Sequence, residues 1–208
     1  MLSRALAPHG YDPQKLVKAI MQGTYLMIAN DGSRTNEEAF WAFFEQTYGE
    51  KARADEKHFD HFYRTDFGLV REKCGCSPKA AEVIAKVKEK GLRAILATNP
   101  LFPAVATESR IGWAGLRKED FELITTYENS SFCKPNPRYY AEILEKTGLR
   151  PGECVMVGND TSDDLAAAQL GIPVFILTEN LINVNDTDVS TLPHGSYDDL
   201  IRWIDELC

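Results

Sequence analysis

The sequence contains no long apolar run, no excess of basic residues and no secretion signal. No stretch of its 208 residues approaches the ~20 apolar residues that a membrane-spanning helix needs. Residues 1–8 lack the apolar core of a secretory signal peptide. The formal net charge of -8 argues against a nucleic-acid partner, which would require a basic surface. We therefore expect a protein that binds neither membranes nor nucleic acids.

The sequence has an odd number of cysteines, five, and they are scattered along the chain. Only Cys74 and Cys76 are close together, and neither a second pair nor a histidine follows at the spacing of zinc ligands. A structural zinc site is therefore the minor alternative. We expect reduced thiols and a cytoplasmic location.

The first third of the chain combines helix signals with many aromatic residues. Asp12 followed by Pro13 is a good helix start, and Thr35 with Glu38 forms a capping-box pattern. Aromatic side chains recur from Phe40 to Phe67. The pattern predicts helices that begin at residue 13 and that cover residues 37–48 and 55–70. We interpret residues 1–76 as a small helical bundle with these aromatic rings in its core.

The remaining sequence, residues 77–208, alternates between helix and strand patterns. Predicted helices cover residues 78–90, 104–114, 137–146, 164–170 and 197–207. Predicted strands cover residues 92–97, 123–126, 154–157 and 173–177. Strands that alternate with helices of this length are typical of parallel crossovers, so we predict an open α/β sheet with helices on both faces. We interpret the polar stretch around Asp186, Asp188 and His194 as a surface loop.

The candidate functional residues lie where the predicted strands end. In parallel α/β sheets, ligands bind beyond the carboxyl ends of the strands. The side chains of Thr98 and Asn99 and the ammonium group of Lys134 could hold phosphate oxygens there. The carboxylates of Asp160 and Asp164, about one helical turn apart, suit a divalent cation such as magnesium. Together these groups predict a site for phosphate and magnesium.

Each of these residues also has a purely structural interpretation. Asp160 and Asp164 could cap the helix that follows them, because aspartate is favoured at helix starts. Lys134 could be a solvated surface lysine, and Thr98 could be an ordinary hydroxyl at the end of a strand. His58 and His61 share one helix face and form a second candidate metal site, for which a polar surface is the favoured interpretation.

Three segments of the sequence resemble motifs of the haloacid dehalogenase superfamily of phosphohydrolases. They are Leu96–Asn99, Lys134–Tyr139 and Val157–Asp164. The resemblance implies that Thr98 and Asn99 bind the phosphoryl group and that Lys134 neutralises it. It also implies that Asp160 and Asp164 hold magnesium in a Rossmann-like core of parallel strands. The preceding helical lobe resembles the family's cap, which closes over the substrate, here expected to be a small phosphorylated molecule.

One motif of the family has no counterpart ahead of the helical lobe. In the family, a hydrophobic strand ends in Asp-x-Asp, whose first aspartate is the nucleophile and whose second is the general acid/base. The nearest imitation, Tyr25–Gly32, has Ala29 at the nucleophile position and continues a helical pattern. We therefore expect catalysis by the family's route to fail in this chain. Magnesium binding is expected to be weak or absent for the same reason.

The family places the strand of this motif at the centre of its sheet. Here that central first strand is absent between the strands that end at Thr98 and at Val157. Unpaired strand edges are costly, so we expect the two strands to pair with each other or a second chain to fill the slot as a homodimer. Two functions follow. The chain is a phosphohydrolase-like protein of the magnesium-dependent phosphatase lineage, or a non-catalytic binding or assembly module of the same fold.

Overall fold

The computed structural model of this protein describes residues 1–207. The α-helices, named α1 to α10 in chain order, are Leu2–Ala5, Pro13–Ile28, Asn36–Tyr48, Lys51–Ala54, Glu56–Arg64, Arg71–Cys74, Lys79–Glu89, Ala104–Trp113, Pro137–Thr147 and Tyr197–Glu206. The strands, named β1 to β5, are Ile95–Leu96, Leu123–Ile124, Met156–Gly158, Val174–Leu177 and His194–Gly195. Short 3-10 helices cover Ala7–His9, Asp66–Val70, Lys118–Asp120, Pro151–Glu153, Leu165–Leu170 and Val189–Thr191.

The order of helices and strands confirms the predicted α/β class, with three local corrections. The helix predicted over residues 55–70 ends at Arg64, and a 3-10 helix follows it. The helix predicted over residues 164–170 is a 3-10 helix throughout. The loop predicted around His194 contains strand β5, which pairs with β4. A strand of two residues that includes a glycine gives no alternating pattern, so the sequence offers no signal for it.

Residue contacts divide the chain into two compact units. The helical unit comprises Met1–Cys76, Thr98–Lys118 and Thr125–Cys133, and the strand unit comprises Ser77–Ala97, Glu119–Ile124 and Lys134–Cys208. The first crossing between the two units falls at residues 76 and 77. Two later segments, predicted in the core, instead group with the helical unit, where α8 contacts α5 and residues 127–133 contact α3.

The starts of α2 and α3, the two longest helices of the helical unit, are fixed by side-chain caps. The carboxylate of Asp12 accepts hydrogen bonds from the backbone N–H groups of Gln14 and Lys15, at 3.1 and 2.8 Å. Thr35 and Glu38 exchange the two hydrogen bonds of a capping box. Both helix starts predicted from the sequence are therefore confirmed. Helices α2 and α3 pack against each other.

Aromatic rings fill the core of the helical unit, as predicted. Phe44 is fully buried, and Phe40, Trp41 and Phe59 are nearly so. The rings of Phe44 and Phe59 meet edge to face with centroids 5.4 Å apart, a favourable arrangement for aromatic pairs. Gly23 of α2 lies against this cluster, where a β-carbon would come within 2.7 Å of the Phe40 ring.

One buried side chain joins three segments of the helical unit. Asn36, at the start of α3, is completely buried. Its amide nitrogen donates to the carbonyl of Pro100 at 3.2 Å and to the sulfur of Cys133 at 3.3 Å. Its backbone N–H donates to the carbonyl of Ser130 at 2.8 Å. The loop after Thr98 is thereby fastened to the helical bundle.

The strand unit contains two separate parallel sheets. β1 pairs with β2, with Ile95 opposite Leu123. β3, β4 and β5 form the second sheet in that order, with Val157 opposite Phe175. Helices α7 and α10 pack together, and their apolar side chains surround Phe175. No ladder joins β1 to β3 within residues 1–207.

The strands differ sharply in burial. Val174, Phe175 and Ile176 of β4 are at most 5% exposed. In contrast, every residue of β1, β2 and β3 is only half-buried. Of the two arrangements expected from the sequence, pairing of β1 with β3 is not observed within residues 1–207, where β1 pairs with β2 and β3 pairs with β4. Filling of the slot by a second chain stays a prediction.

Two helical glycines, one in a crowded position and one in an open position, test the packing of α2. We expect Gly23→Ala to lower the free energy of unfolding by about 1–3 kcal/mol, because the added methyl group overlaps the Phe40 ring. Gly112 of α8 has nothing within 4 Å of its position for a β-carbon. The matched variant Gly112→Ala is expected to raise that free energy by about 0.5–1 kcal/mol through helix propensity. Urea denaturation followed by circular dichroism measures both, and equal effects would contradict the packing.

Candidate functional site

A buried ion pair joins two of the predicted site residues. The ammonium nitrogen of Lys134 lies 2.6 Å from Oδ1 of Asp164, and the two side chains are 7% and 6% exposed. Lys134 precedes α9, whose start is capped by Asn136 and carries Pro137 at the first position. The surface interpretation of Lys134 is therefore wrong, because its charged end is buried against a carboxylate.

The second oxygen of Asp164 binds the turn that follows β3. Oδ2 of Asp164 accepts a hydrogen bond from the backbone N–H of Asp160 at 3.0 Å. The backbone N–H of Asp164 donates in return to the carbonyl of Asp160 at 2.9 Å. Gly158 leaves room for this carboxylate, because a β-carbon there would overlap it. Asp164 thus links Lys134 to the end of the strand.

Asp160 shapes its own turn. Its Oδ1 accepts hydrogen bonds from the backbone N–H groups of Ser162 and Asp163, at 2.8 and 3.0 Å. This is the local capping role that the sequence left open as the alternative to metal binding. The contacts described for Asp160 involve Oδ1, and its Oδ2 is open to a ligand.

Two tyrosines that the sequence did not single out surround the lysine. The ammonium nitrogen of Lys134 lies 5.8 Å from the ring centroids of both Tyr139 and Tyr140, within cation–π range. The hydroxyl of Tyr140 donates to the carbonyl of Asp163 at 2.8 Å. Burial raises the pKa of Tyr140, and the nearby Asp164 raises it further, so the hydroxyl stays protonated. Both tyrosines follow the lysine at the start of α9, but no spacing rule marks them.

A second loop braces the turn at Asp160. Asp160 and Ile182 form a parallel bridge, and the backbone N–H of Ile182 donates to the carbonyl of Asn159 at 2.8 Å. The hydroxyl of Thr161 donates to the side chain of Asn183 at 2.9 Å. The turn after β3 that contains Asp160 is therefore held both by Asp164 and by the loop that carries Ile182 and Asn183.

Thr98 and Asn99, the other predicted phosphate-binding residues, belong to the helical unit. The carbonyl of Thr98 accepts a hydrogen bond from the hydroxyl of Thr125 at 2.7 Å. The carbonyl of Asn99 accepts one from the backbone N–H of Leu101 at 2.8 Å. The structure thus brings Lys134, Asp160 and Asp164 together in one unit, while a phosphate-binding role for Thr98 and Asn99 stays a prediction.

The carboxylates of Asp160 and Asp164 are not equivalent as potential magnesium ligands. Both oxygens of Asp164 are engaged, one by Lys134 and one by the N–H of Asp160. Magnesium demands near-ideal octahedral geometry from oxygen ligands. Among residues 1–207, no group of three or more His, Cys, Asp or Glu side chains is arranged to hold a metal ion. In this structure Asp164 acts as a positioning residue for Lys134.

The second candidate metal site was predicted at His58 and His61, and the contacts of His58 are with His9 and Asp55. His58 stacks on His9, with ring centroids 3.6 Å apart, and its Nε2 lies 3.8 Å from Asp55. Partial burial lowers the pKa of His58, and the neighbouring His9 lowers it further. Cys74 and Cys76 are exposed free thiols.

Comparison with known proteins identifies the class to which this fold and these motifs belong. Residues 4–171 match the sequence profile of the haloacid dehalogenase-like hydrolases. The chain therefore belongs to this family of hydrolases, and the resemblance seen in the sequence is confirmed. None of the helices within residues 1–207 has the length and apolar character needed to cross a membrane.

The chain is similar to several phosphatases. It is 22% identical over 192 residues to the glyceraldehyde 3-phosphate phosphatase of Methanothermobacter thermautotrophicus, and the match covers 82% of each chain. It is 30% identical over 134 residues to the phosphoserine phosphatase of Thermus thermophilus, covering 64% of this chain and 50% of that protein. A predicted phosphoglycolate phosphatase from Haemophilus somnus superposes with a TM-score of 0.56 at 16% identity. That superposition covers 97% of this chain and 88% of the other, and it shows the shared fold.

Removal of the Asp164 carboxylate charge tests the buried pair. We expect Asp164→Asn to lower the free energy of unfolding by about 3–5 kcal/mol, because Lys134 would remain buried without a counter-charge. The measurement is urea denaturation of the variant and of Lys134→Met/Asp164→Asn, which should recover much of the loss.

Asp60→Asn is the control for this measurement. It removes the ion pair with Arg64, which lies in solvent, so little change is expected. A loss for Asp164→Asn no larger than that for Asp60→Asn would contradict the account of the buried pair.

Proposed function

We propose that this chain binds small phosphate monoesters as a member of the phosphatase lineage of its family. The observation that supports this most is the buried ammonium group of Lys134, held by Asp164 beside the end of β3. An ammonium group has three donors, and the described hydrogen bonds of Lys134 use one of them. The other two are available to phosphate oxygens.

Each predicted residue has a role in this proposal. Lys134 neutralises the phosphate, and phosphate binding by Thr98 and Asn99 of the helical unit stays a prediction from the sequence. Asp164 positions Lys134, and Asp160 presents its open Oδ2 at the same strand end. Magnesium binding at Asp160 and Asp164 remains a prediction from the sequence. Weak binding is expected, because both oxygens of Asp164 already accept hydrogen bonds, one from Lys134 and one from the N–H of Asp160.

Turnover by the family's covalent route is not part of the proposal. That route needs an aspartate nucleophile at the end of a strand. Within residues 1–207, none of the five strands is followed by Asp-x-Asp. The segment that imitates this motif is helical from Tyr25 to Ile28, since it forms the end of α2. We therefore expect binding of phosphate esters without hydrolysis.

The class of ligand is suggested by relatives. The named relatives are phosphatases for glyceraldehyde 3-phosphate and for phosphoserine, which are both small phosphorylated molecules. The net charge of -8 disfavours binding to nucleic acids. A cytoplasmic location stays a prediction from the cysteine usage.

Titration with inorganic phosphate tests the role of Lys134. We expect Lys134→Met to weaken phosphate binding by about tenfold or more in isothermal titration calorimetry, because a charged hydrogen bond is lost. The control is Lys146→Met, which removes a partly exposed lysine from α9, the helix that follows Lys134, and should leave binding unchanged. No hydrolysis of an aryl phosphate with magnesium is expected. Hydrolysis that Asp160→Asn abolishes would contradict the absence of turnover, and equal binding by Lys134→Met would contradict the site.

A second candidate function is a non-catalytic assembly module that pairs with a second chain through the edge of β3. Two separate sheets and the half-buried residues of β1 and β3 favour it. The N–H of Met156 donates to Pro173 on the β4 side at 2.8 Å. Because parallel strands alternate their bonding direction, the peptide groups of Val157 face the opposite edge.

Amide hydrogen exchange at Val157 tests this second function. If a second chain fills the edge, protection of the Val157 amide should rise when the protein concentration is raised a hundredfold. The amide of Ile176 is the control, because it donates to Pro193 at 2.9 Å within the sheet at any concentration. Equally fast exchange of Val157 at both concentrations would contradict the assembly function.

A further inference from the structure

Helix α2 carries a row of large apolar side chains in solvent. Val17, Met21, Tyr25 and Ile28 are 49%, 50%, 59% and 39% exposed. At 100° per residue these four positions lie within about 80° of the helix circumference, so they form one continuous stripe. We call these four residues the α2 stripe. Contiguous apolar patches on a protein surface mark interaction sites, whereas single exposed apolar residues are common and need no explanation.

The stripe is additional to the face that α2 buries in its own unit. The buried residues of α2 are Leu16, Ala19, Gly23 and Met27. They lie on the opposite side of the helix from the stripe, against the aromatic core. The helix is therefore apolar on two sides, which a helix at the surface of a monomer does not need.

The charges at the two ends of the stripe have opposite signs. Lys15 and Lys18 are exposed near the start of α2, and Asp31 is exposed just beyond its end. Hydrogen bonds from Ser33 lower the pKa of Asp31, so its carboxylate is charged at neutral pH. Helix α2 has no acidic residue in its first turn and no basic residue in its last turn. Asp12 caps the start of α2, but no basic residue in the last turn offsets the negative end of its helix dipole.

We propose that the α2 stripe is the contact surface for a second copy of this chain. In an antiparallel pair related by a two-fold axis, Val17 faces Ile28 of the second copy and Met21 faces Tyr25. The same register brings Lys18 within a lysine side chain's length of Asp31 of the second copy, near the negative end of its helix dipole. Two-fold symmetry then makes each contact twice, so the same apolar row and the same pair of charges form both halves of the interface.

Mass measurement tests this proposal on the whole chain. Multi-angle light scattering at 5–200 µM should show a rise toward twice the chain mass of 23.3 kDa. Met21→Glu should give a monomer across that range, because it buries a charge at the centre of the stripe. The control is Leu69→Glu, which adds the same charge at a residue that is 57% exposed and lies outside α2. It should dimerise as the natural chain does, and circular dichroism checks that both variants are folded.

Charge reversal tests the antiparallel arrangement. Lys18→Glu should weaken dimerisation by about tenfold at low salt, and Lys18→Glu/Asp31→Lys should restore it. A natural chain that is monomeric at 200 µM overturns the proposal, and the stripe then binds another partner or none. A dimer that Met21→Glu does not affect also overturns it, since a dimer through the edge of β3 would behave in that way. Failure of the double variant to restore dimerisation would exclude the antiparallel register.

Discussion

The buried ion pair between Lys134 and Asp164 is the interaction on which the strand unit's candidate site depends. Each partner is costly to bury alone, so neither position tolerates loss of the other. Asp164 has a second task, because its other oxygen holds the N–H of Asp160. Gly158 must lack a side chain for that carboxylate to fit. The carboxylate of Asp164 therefore fixes the end of β3, the turn that contains Asp160 and the segment before α9.

This constraint changes what the acidic residues do. Two carboxylates about one helical turn apart look equivalent in the sequence, yet the structure separates their roles. Asp164 is turned inward to Lys134, and Asp160 caps its turn while one of its oxygens stays open. A phosphate-binding lysine that is held in place by a carboxylate is preorganised, which lowers the entropic cost of binding an anion. The proposed binding of phosphate esters rests on this arrangement.

Much of the fold could be predicted from local signals, and the rest depends on tertiary contacts. The helix start at Asp12 and the capping box at Thr35 are local patterns, and both are present. The positions of Lys134, Asp160 and Asp164 followed from motifs at strand ends. Which oxygen binds which donor did not, because it depends on chain segments that are distant in sequence. Strand β5 and the grouping of residues 98–118 with the helical unit had no local signal either.

The most direct measurement of the central claim is nuclear magnetic resonance of the lysine side-chain ammonium groups, with Lys134 assigned by its loss in Lys134→Met. A buried, hydrogen-bonded ammonium group exchanges its protons slowly enough to be observed. The account predicts a protected Lys134 signal that shifts when inorganic phosphate is added and disappears in Asp164→Asn. A Lys134 signal that is absent from the natural chain, or that is the same in Asp164→Asn, would contradict the account.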